Sequence, residues 1–349
     1  MRADMDYFVR ELSVLPIATL ATLSLIFAAL LLYALLGGAD YGGGVWDLLA
    51  SGPRAREQRR LIAAAIGPVW EANHVWLIFM IVLLFTAFPV AFAALATALH
   101  IPLTLMLLGI VVRGTSFTFR NYDRQEAPVQ RRWGRLFAVS SLFTPLMLGI
   151  CIGAISTGAI RVQDGIVTSG FIRPWLGLFP FAVGLFVVAL FAFLAAVYLT
   201  VEPQDEALRE DFRRRALVSG IAVGALAIAV YLLSQNAAPI VSAGLTQRPW
   251  SRSLQLVTGL LALSAIGTLW LRRFRVARLL AAGEVALILS GWALALYPYL
   301  VPPDISIATA AAPLKVLHPV LWGTAAGLLI LVPSLLYLFR VFKTTQRRL

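Results

Sequence analysis

Ionisable side chains are scarce within the long apolar stretches of this sequence. The few that occur there are the first candidates for chemistry: Asp40, Asp47, Glu71, His74, His100, Arg113 and Glu284. A charge in hydrocarbon is costly, so each is a functional candidate by default. Asp40 lies in Gly37-Gly38-Ala39-Asp40-Tyr41-Gly42-Gly43-Gly44. Gly38 and Gly42 form a small-xxx-small pair, as do Ala39 and Gly43, and such faces let a neighbouring helix approach closely. A carboxylate pressed against that neighbour is partly dehydrated, a setting that suits a proton carrier. The alternative is an acid at a helix end that pairs with a loop arginine. Glu71 lies in Gly67-Pro68-Val69-Trp70-Glu71-Ala72-Asn73-His74-Val75-Trp76-Leu77. Glu71 and His74 are three apart and share a helix face. A helix starting near Arg60 puts Glu71 about 16 Å along it; a start at Pro68 puts it nearer the surface. Two carboxylates with Asn73 and His74 would hold a water chain for proton uptake, or else form a polar cluster that fixes packing, with Trp70 and Trp76 beside it.

The remaining candidates read more plainly. Asp47 lies further along, among loop residues, as a structural acid. Glu284 falls early in the eighth apolar span, and its pairing with the nearby Arg278 cluster is left open. Arg113 and Arg120 end the third span, where they would snorkel to lipid phosphate or a partner carboxylate. His74, His100 and His318 are scattered, without the paired arrangement that a haem ligand set favours. The single cysteine, Cys151, excludes an internal disulfide and suits packing in an apolar helix. No glycine cluster is followed by Gly-Lys-Ser/Thr, and no Ser/His/Asp arrangement stands out.

These residues must be held by membrane-spanning helices. The chain has 349 residues, 60% hydrophobic and only 13% charged, where soluble domains carry about 25%. About 20 apolar residues cross a bilayer as a helix, and backbone groups in lipid must be satisfied within the segment. Nine spans are predicted, near residues 17–39, 69–91, 97–117, 136–158, 176–199, 216–235, 254–271, 278–299 and 317–339. The second and third come from one apolar run that turns near Phe88-Pro89 and His100-Ile101-Pro102. The first run is preceded by Asp4, Asp6 and Glu11 rather than a basic region, so it does not read as a signal peptide. Of 29 Lys and Arg, 22 fall in the odd-numbered loops and the C-terminal tail. That asymmetry places those loops and the C-terminus in the cytoplasm and the N-terminus outside. It also explains the net charge of +12 without nucleic acid. The expected fold is an all-α bundle, one transmembrane domain over residues 1–349.

Several of these stretches together resemble a known family. Gly38-Ala39-Asp40-Tyr41-Gly42-Gly43-Gly44 is similar to the glycine-rich Asp motif ending the first helix of cytochrome bd-type quinol oxidase subunit II. Trp70-Glu71-Ala72-Asn73-His74-Val75-Trp76-Leu77 resembles its tryptophan–acid–x–Asn–x–Val–Trp–Leu motif. The segments from Phe85 to Pro89, from Arg113 through Phe117-Thr118-Phe119-Arg120, from Tyr297 to Asp304, and Ala310-Ala311-Ala312-Pro313 follow in the family's order. The resemblance implies a haem-free, nine-helix subunit of a complex in the bacterial cytoplasmic membrane that oxidises quinol and reduces O₂ to water. Subunit I, the expected partner, would carry b- and d-type haem. This subunit would stabilise it, help form the cytoplasmic proton route through Asp40 and Glu71, and in some members hold a structural quinone. A small single-helix accessory subunit and membrane lipid are further partners the family implies. The sequence departs from the common pattern at His74, where Gln is frequent, at Thr118, where many members have an acid, and at Ala308 and Thr309, where many have Trp-Asp.

Two other readings compete. In a proton-coupled secondary transporter, Asp40 and Glu71 would be the coupling carboxylates, yet such folds usually repeat their broken helices in both halves, and no counterpart is evident here. In a purely structural membrane scaffold, Glu71 would have no effect on turnover.

Overall fold

The computed structural model describes residues 15–67, 69–122 and 127–346. Asp4, Asp6 and Glu11, on which the signal-peptide reading rests, lie outside them, as do Pro68, Arg124, Arg347 and Arg348. Among the described residues, nine helices are long and apolar enough to cross a membrane: Ile17–Leu48, Trp70–Ala87, His100–Arg120, Val129–Thr157, Leu178–Leu199, Glu206–Ala237, Ser251–Trp270, Phe274–Leu296 and Leu314–Leu338. Each corresponds to one predicted span. The turn expected between the second and third spans is filled by a short helix, Pro89–Ala98, with Pro89 in its first turn.

The first span departs most from expectation. It does not end near residue 39. It passes through one π-helical turn, Tyr33–Gly37, and continues as Gly38–Leu48. Four of those eleven residues are glycine, a poor helix former in isolation. Packing overrides propensity, because Gly38 and Gly42 lie against the fifth span. A β-carbon on Gly38 would come within 2.6 Å of the Phe191 ring, and one on Gly42 would collide with the Phe191 carbonyl. From the other side, Gly149 of the fourth span faces Gly184, where a β-carbon would be 2.6 Å from its Cα. Lipid tails are as apolar as side chains, so close backbone approach is what holds such helices together. The fifth span, with residues such as Leu190, Phe191 and Phe193 fully enclosed, becomes the central post.

The two ends are tied differently. At one end, Arg54 donates to both carboxylate oxygens of Asp211, at 2.8 and 2.6 Å. Gln58 donates to the same carboxylate and accepts from Arg215. Arg272 reaches Glu206 and Glu210 at 3.0 and 3.3 Å. The first, fifth and seventh loops thus converge on one end, as their shared arginines required. At the opposite end, Val162–Gln163 pairs with Ile166–Val167 through an Asp164-Gly165 turn with positive φ at both positions, the two-residue hairpin chemistry of Asp-Gly. A second hairpin pairs Tyr299–Val301 with Ile305–Ser306. Asp304 joins the two, accepting from the Arg161 side chain at 2.8 and 3.0 Å and from the Val162 amide at 2.8 Å.

Gly42→Val is expected to lower the melting temperature of the detergent-solubilised protein, since backbone cannot step aside and overpacking costs about 1–3 kcal/mol. Gly224→Ala, with nothing within 4 Å of its β-position, should be neutral or slightly stabilising. An unchanged melting temperature for Gly42→Val would refute the close crossing. The Arg161 donors hold the Asp304 carboxyl below its ordinary value of 3.8. Its contribution is therefore complete above that pH and fades as pH falls through the lowered folded value. Asp304→Asn should remove this acid-side loss from a pH series of melting temperatures.

Candidate functional site

The extension of the first span carries Asp40 into the bundle rather than to its edge. Eight residues separate it from Leu48, about 12 Å of helix. Gly38 and Gly42 face the fifth span, and Asp40, two residues on from Gly38, points to the opposite side. There it is buried and accepts from Asn73 Nδ2 at 2.7 Å. Asn73 stands near the start of the second span, so the bond staples the first span to the second. Tyr41 extends the network. The Tyr33 hydroxyl donates to the Tyr41 hydroxyl, and the latter lies 3.2 Å from His74 Nε2. His74 Nδ1 is 2.8 Å from the Trp70 carbonyl. A carbonyl only accepts, so this geometry assigns the hydrogen to Nδ1 and leaves Nε2 of the neutral ring to accept from Tyr41.

Arg113 completes the site. Its expected snorkelling is a correction: the third helix runs on to Tyr122, and Arg113 is turned inward at 1% exposure. Its guanidinium lies 4.7 Å over the Tyr41 ring and 5.2 Å over Phe137, and Nε donates to Ser141 Oγ at 3.1 Å. It is also within electrostatic reach of Asp40. Arg113 Nη2 and Asn73 Oδ1 are enclosed with no hydrogen-bond partner among the described residues. Tyr33 and Ser141 were missed as site residues by sequence reasoning. Tyr33, Gly37 and Tyr41 recur every four residues on one helix face, and that spacing was the available signal.

The other candidates separate from this cluster. Asp47 is no loop residue. It occupies the last turn of the first span, buried, and pairs with Arg120 at 3.0 Å. Arg120 thus finds its carboxylate within the chain. Glu71 lies in the first turn of the second span, which begins at Trp70 after the separate helix Ala55–Ile66. Of the two starts considered, the nearer-surface one holds. Glu71 is exposed and makes no hydrogen bond or ion pair among the described residues. It is therefore not in contact with Asp40, and the two expected carboxylates share one bundle end but not one pocket. Trp70 packs edge-on to His74 and Phe117, and Trp76 to Phe79.

Glu284 is buried, with Oε2 unpartnered. It does not join the arginine cluster; Arg278 lies instead over the Tyr198 ring at 4.7 Å. Thr118 is exposed and donates to the Gly114 carbonyl. Thr309 closes a capping box with Ser306 in the short helix Ile307–Ala310, which also holds Ala308. For haem, the donor set is a poor fit. Both His74 ring nitrogens are engaged within the chain, and His100 and His318 are exposed. No group of three or more His, Cys, Asp or Glu gathers among the described residues.

The sequence matches the family described as cytochrome bd terminal oxidase subunit II over residues 18–342. A Bacillus subtilis chain assigned as subunit II of a cytochrome bd menaquinol oxidase is 22% identical over 342 residues, 94% of this chain and 96% of that one. Subunit 2 of the Escherichia coli cytochrome bd-I ubiquinol oxidase is 28% identical over 126 residues, 36% of this chain and 32% of its own length. In fold, a chain of the bd oxidase from Geobacillus thermodenitrificans superposes with a TM-score of 0.73 at 21% identity, covering 94% of this chain and 99% of that one.

Leaving buried polar groups without their partners costs about 1–3 kcal/mol each, and Arg113 is held by Ser141, two aromatic faces and the electrostatic reach of Asp40. Arg113→Gln is therefore expected to destabilise strongly, and the double variant Arg113→Gln/Asp40→Asn to recover part of that loss. Thermal denaturation of the four species forms a double-mutant cycle. Strictly additive effects would mean that the two side chains do not interact.

Proposed function

The chain belongs to the cytochrome bd terminal oxidase subunit II family, and from that premise we propose that it is the haem-free subunit of a complex that oxidises quinol and reduces O₂ to water, stabilising subunit I and supplying part of its proton route. Reduction of one O₂ to two waters consumes four protons and four electrons. The protons must cross low-dielectric protein to reach the site, and a route needs carboxyl groups or water at intervals. The haems, which bind and reduce O₂, are assigned to subunit I, because the histidines of this chain are engaged or exposed as described. In this reading the nine spans sit in the bacterial cytoplasmic membrane as one domain. The arginine-rich end and the C-terminus face the cytoplasm, and the N-terminus faces outward.

The observation that carries the proton role is the Asp40–Asn73 bond beside Arg113. It is a buried carboxylate in the half of the bundle nearer the arginine-rich end. Glu71, exposed in the first turn of the neighbouring helix, is the entry group. Asn73 Oδ1 and Arg113 Nη2 retain hydrogen-bonding capacity with which water can be oriented between Glu71 and Asp40. A structural quinone and a single-helix accessory subunit belong to this proposal only through family resemblance. The transporter alternative draws no support from the family found.

The test uses the complex purified from native membranes. Glu71→Gln should leave assembly and the reduced-minus-oxidised haem spectrum intact, and Asp40→Asn, which also removes a counter-charge of Arg113, is read per assembled, haem-replete complex. Quinol-driven O₂ consumption should fall by about tenfold or more, the scale of losing one proton-transfer group, and Glu71→Asp should recover much of the rate. Full turnover in both neutral variants would reduce the cluster to a packing role.

A further inference from the structure

At the arginine-rich end an open cavity of about 910 Å³ lies between the end of the first span, the helix Ala55–Ile66 and the third and fourth spans. Arg56, Arg59, Arg60, Arg120, Arg131 and Arg135 line it, against one carboxylate, Asp47. That carboxylate is committed to Arg120. Arg59 donates to the Asp47 and Ala50 carbonyls at 3.3 and 3.2 Å, satisfying the open C-terminal end of the first span. Arg56, Arg60 and Arg135 are exposed and form no hydrogen bond or ion pair among the described residues. Asp123 and Glu126, in the adjoining loop, lie outside those residues. A cavity this cationic is electrostatically incomplete within the described chain.

The third and fourth spans that line it also expose apolar side chains. Val112 and Phe119 of the third span, and Leu136 and Val139 of the fourth, are exposed by 38, 49, 46 and 54%. Phe119 stacks on Trp133 with ring centroids 5.0 Å apart, the kind of aromatic that settles at a membrane interface. Cationic groups at a helix end with exposed apolar side chains on the same two spans match one class of ligand, an amphiphile with an anionic head. We propose that this cavity binds the phosphate headgroup of an anionic phospholipid, with its acyl chains lying along the third and fourth spans. Guanidinium groups meet phosphate oxygens in paired hydrogen bonds, and basic pockets between spans are a recurring site for such headgroups. Free phosphate would use the arginines but not the apolar side chains, and an acidic protein segment would use them without acyl chains.

The complex purified from native membranes is delipidated by detergent exchange. It is then titrated with phosphatidylglycerol, cardiolipin, phosphatidylcholine or inorganic phosphate, followed by native mass spectrometry and melting temperature. The anionic lipids should be retained and raise the melting temperature, and phosphatidylcholine and inorganic phosphate should do neither. The variant Arg56→Gln/Arg60→Gln/Arg135→Gln should lose anionic-lipid retention by about tenfold or more, each arginine near an anionic surface supplying a few-fold. Arg248→Gln/Arg252→Gln, which removes two charges of the opposite-end loop, should retain it. If the triple variant does not assemble, Arg60→Gln alone should show a smaller loss of retention. The proposal is overturned if lipid retention is the same in the arginine variants and the parent, or if phosphatidylcholine is held as well. It is also overturned if inorganic phosphate alone reproduces the shift, or if an acidic protein segment co-purifies in the cavity and added lipid does not displace it.

Discussion

A guanidinium that cannot lose its charge sits among the helices, and the neighbouring spans are arranged around it. Arg113 has five donors and no water of bulk solvent to receive them. Hydrocarbon offers nothing, so the protein must surround it with aromatic faces, a hydroxyl and a counter-charge. Tyr41 and Phe137 supply the faces, Ser141 the hydroxyl and Asp40 the opposite charge. These groups come from the first and fourth spans, and Arg113 itself from the third. Asn73, bonded to Asp40, adds the second. Four helices therefore meet at or beside one buried cation, and these contacts bear on the rotation of each.

That arrangement requires a tight crossing elsewhere. For Asp40 to reach Asn73, the opposite face of the first span must lie flat on the fifth. Gly38 and Gly42 permit it, since any side chain there would meet the Phe191 ring or its carbonyl. The glycines and the acid are thus two faces of one requirement. Small residues bring the helices together in a solvent that gives no hydrophobic push, and the polar partners then set which rotation is allowed. The helix pays for its glycines only because both conditions are met within the same eleven residues.

How much of this could be read from the chain follows the same physics. Apolar length is a strong local signal, so all nine spans were visible, as was the gathering of the basic loops at one end. The inward direction of Arg113 was not, because an arginine seven residues before Arg120 reads equally well as a snorkelling group. What decides it is the distant pair Tyr41 and Ser141, which no local window contains. Asp47 was misread for a related reason: glycine-rich sequence suggests a helix end, and only packing on the fifth span carries the helix on to Leu48. Glu71 and Asp40 were read as one pocket from shared motif chemistry. Their separation depends on where the second span begins, which Gly67 and the preceding helix settle. The Asp164-Gly165 dipeptide carries a local turn signal, but its two-residue strands are too short to show alternation in the sequence.

The polar cluster divides into a saturated half and an unsaturated half, and the division bears on how protons can move. The chain Tyr33 to Tyr41 to His74 to the Trp70 carbonyl runs in one direction and ends on an acceptor that carries no exchangeable hydrogen. Its donors are all engaged, so this half orients the π turn and the second span. The other half is different. An amide cannot readily pass a proton through itself, yet Asn73 Oδ1 and Arg113 Nη2, both with bonding capacity to spare, flank the Asp40 carboxylate. In the proposed proton role, a water molecule accepting from Arg113 and donating to Asn73 would lie beside that carboxylate, and a transfer path would run past Asp40 on this side. The tyrosine–histidine half ties the first span to the second, and in the proposed role changes there would alter geometry first and proton supply only through it.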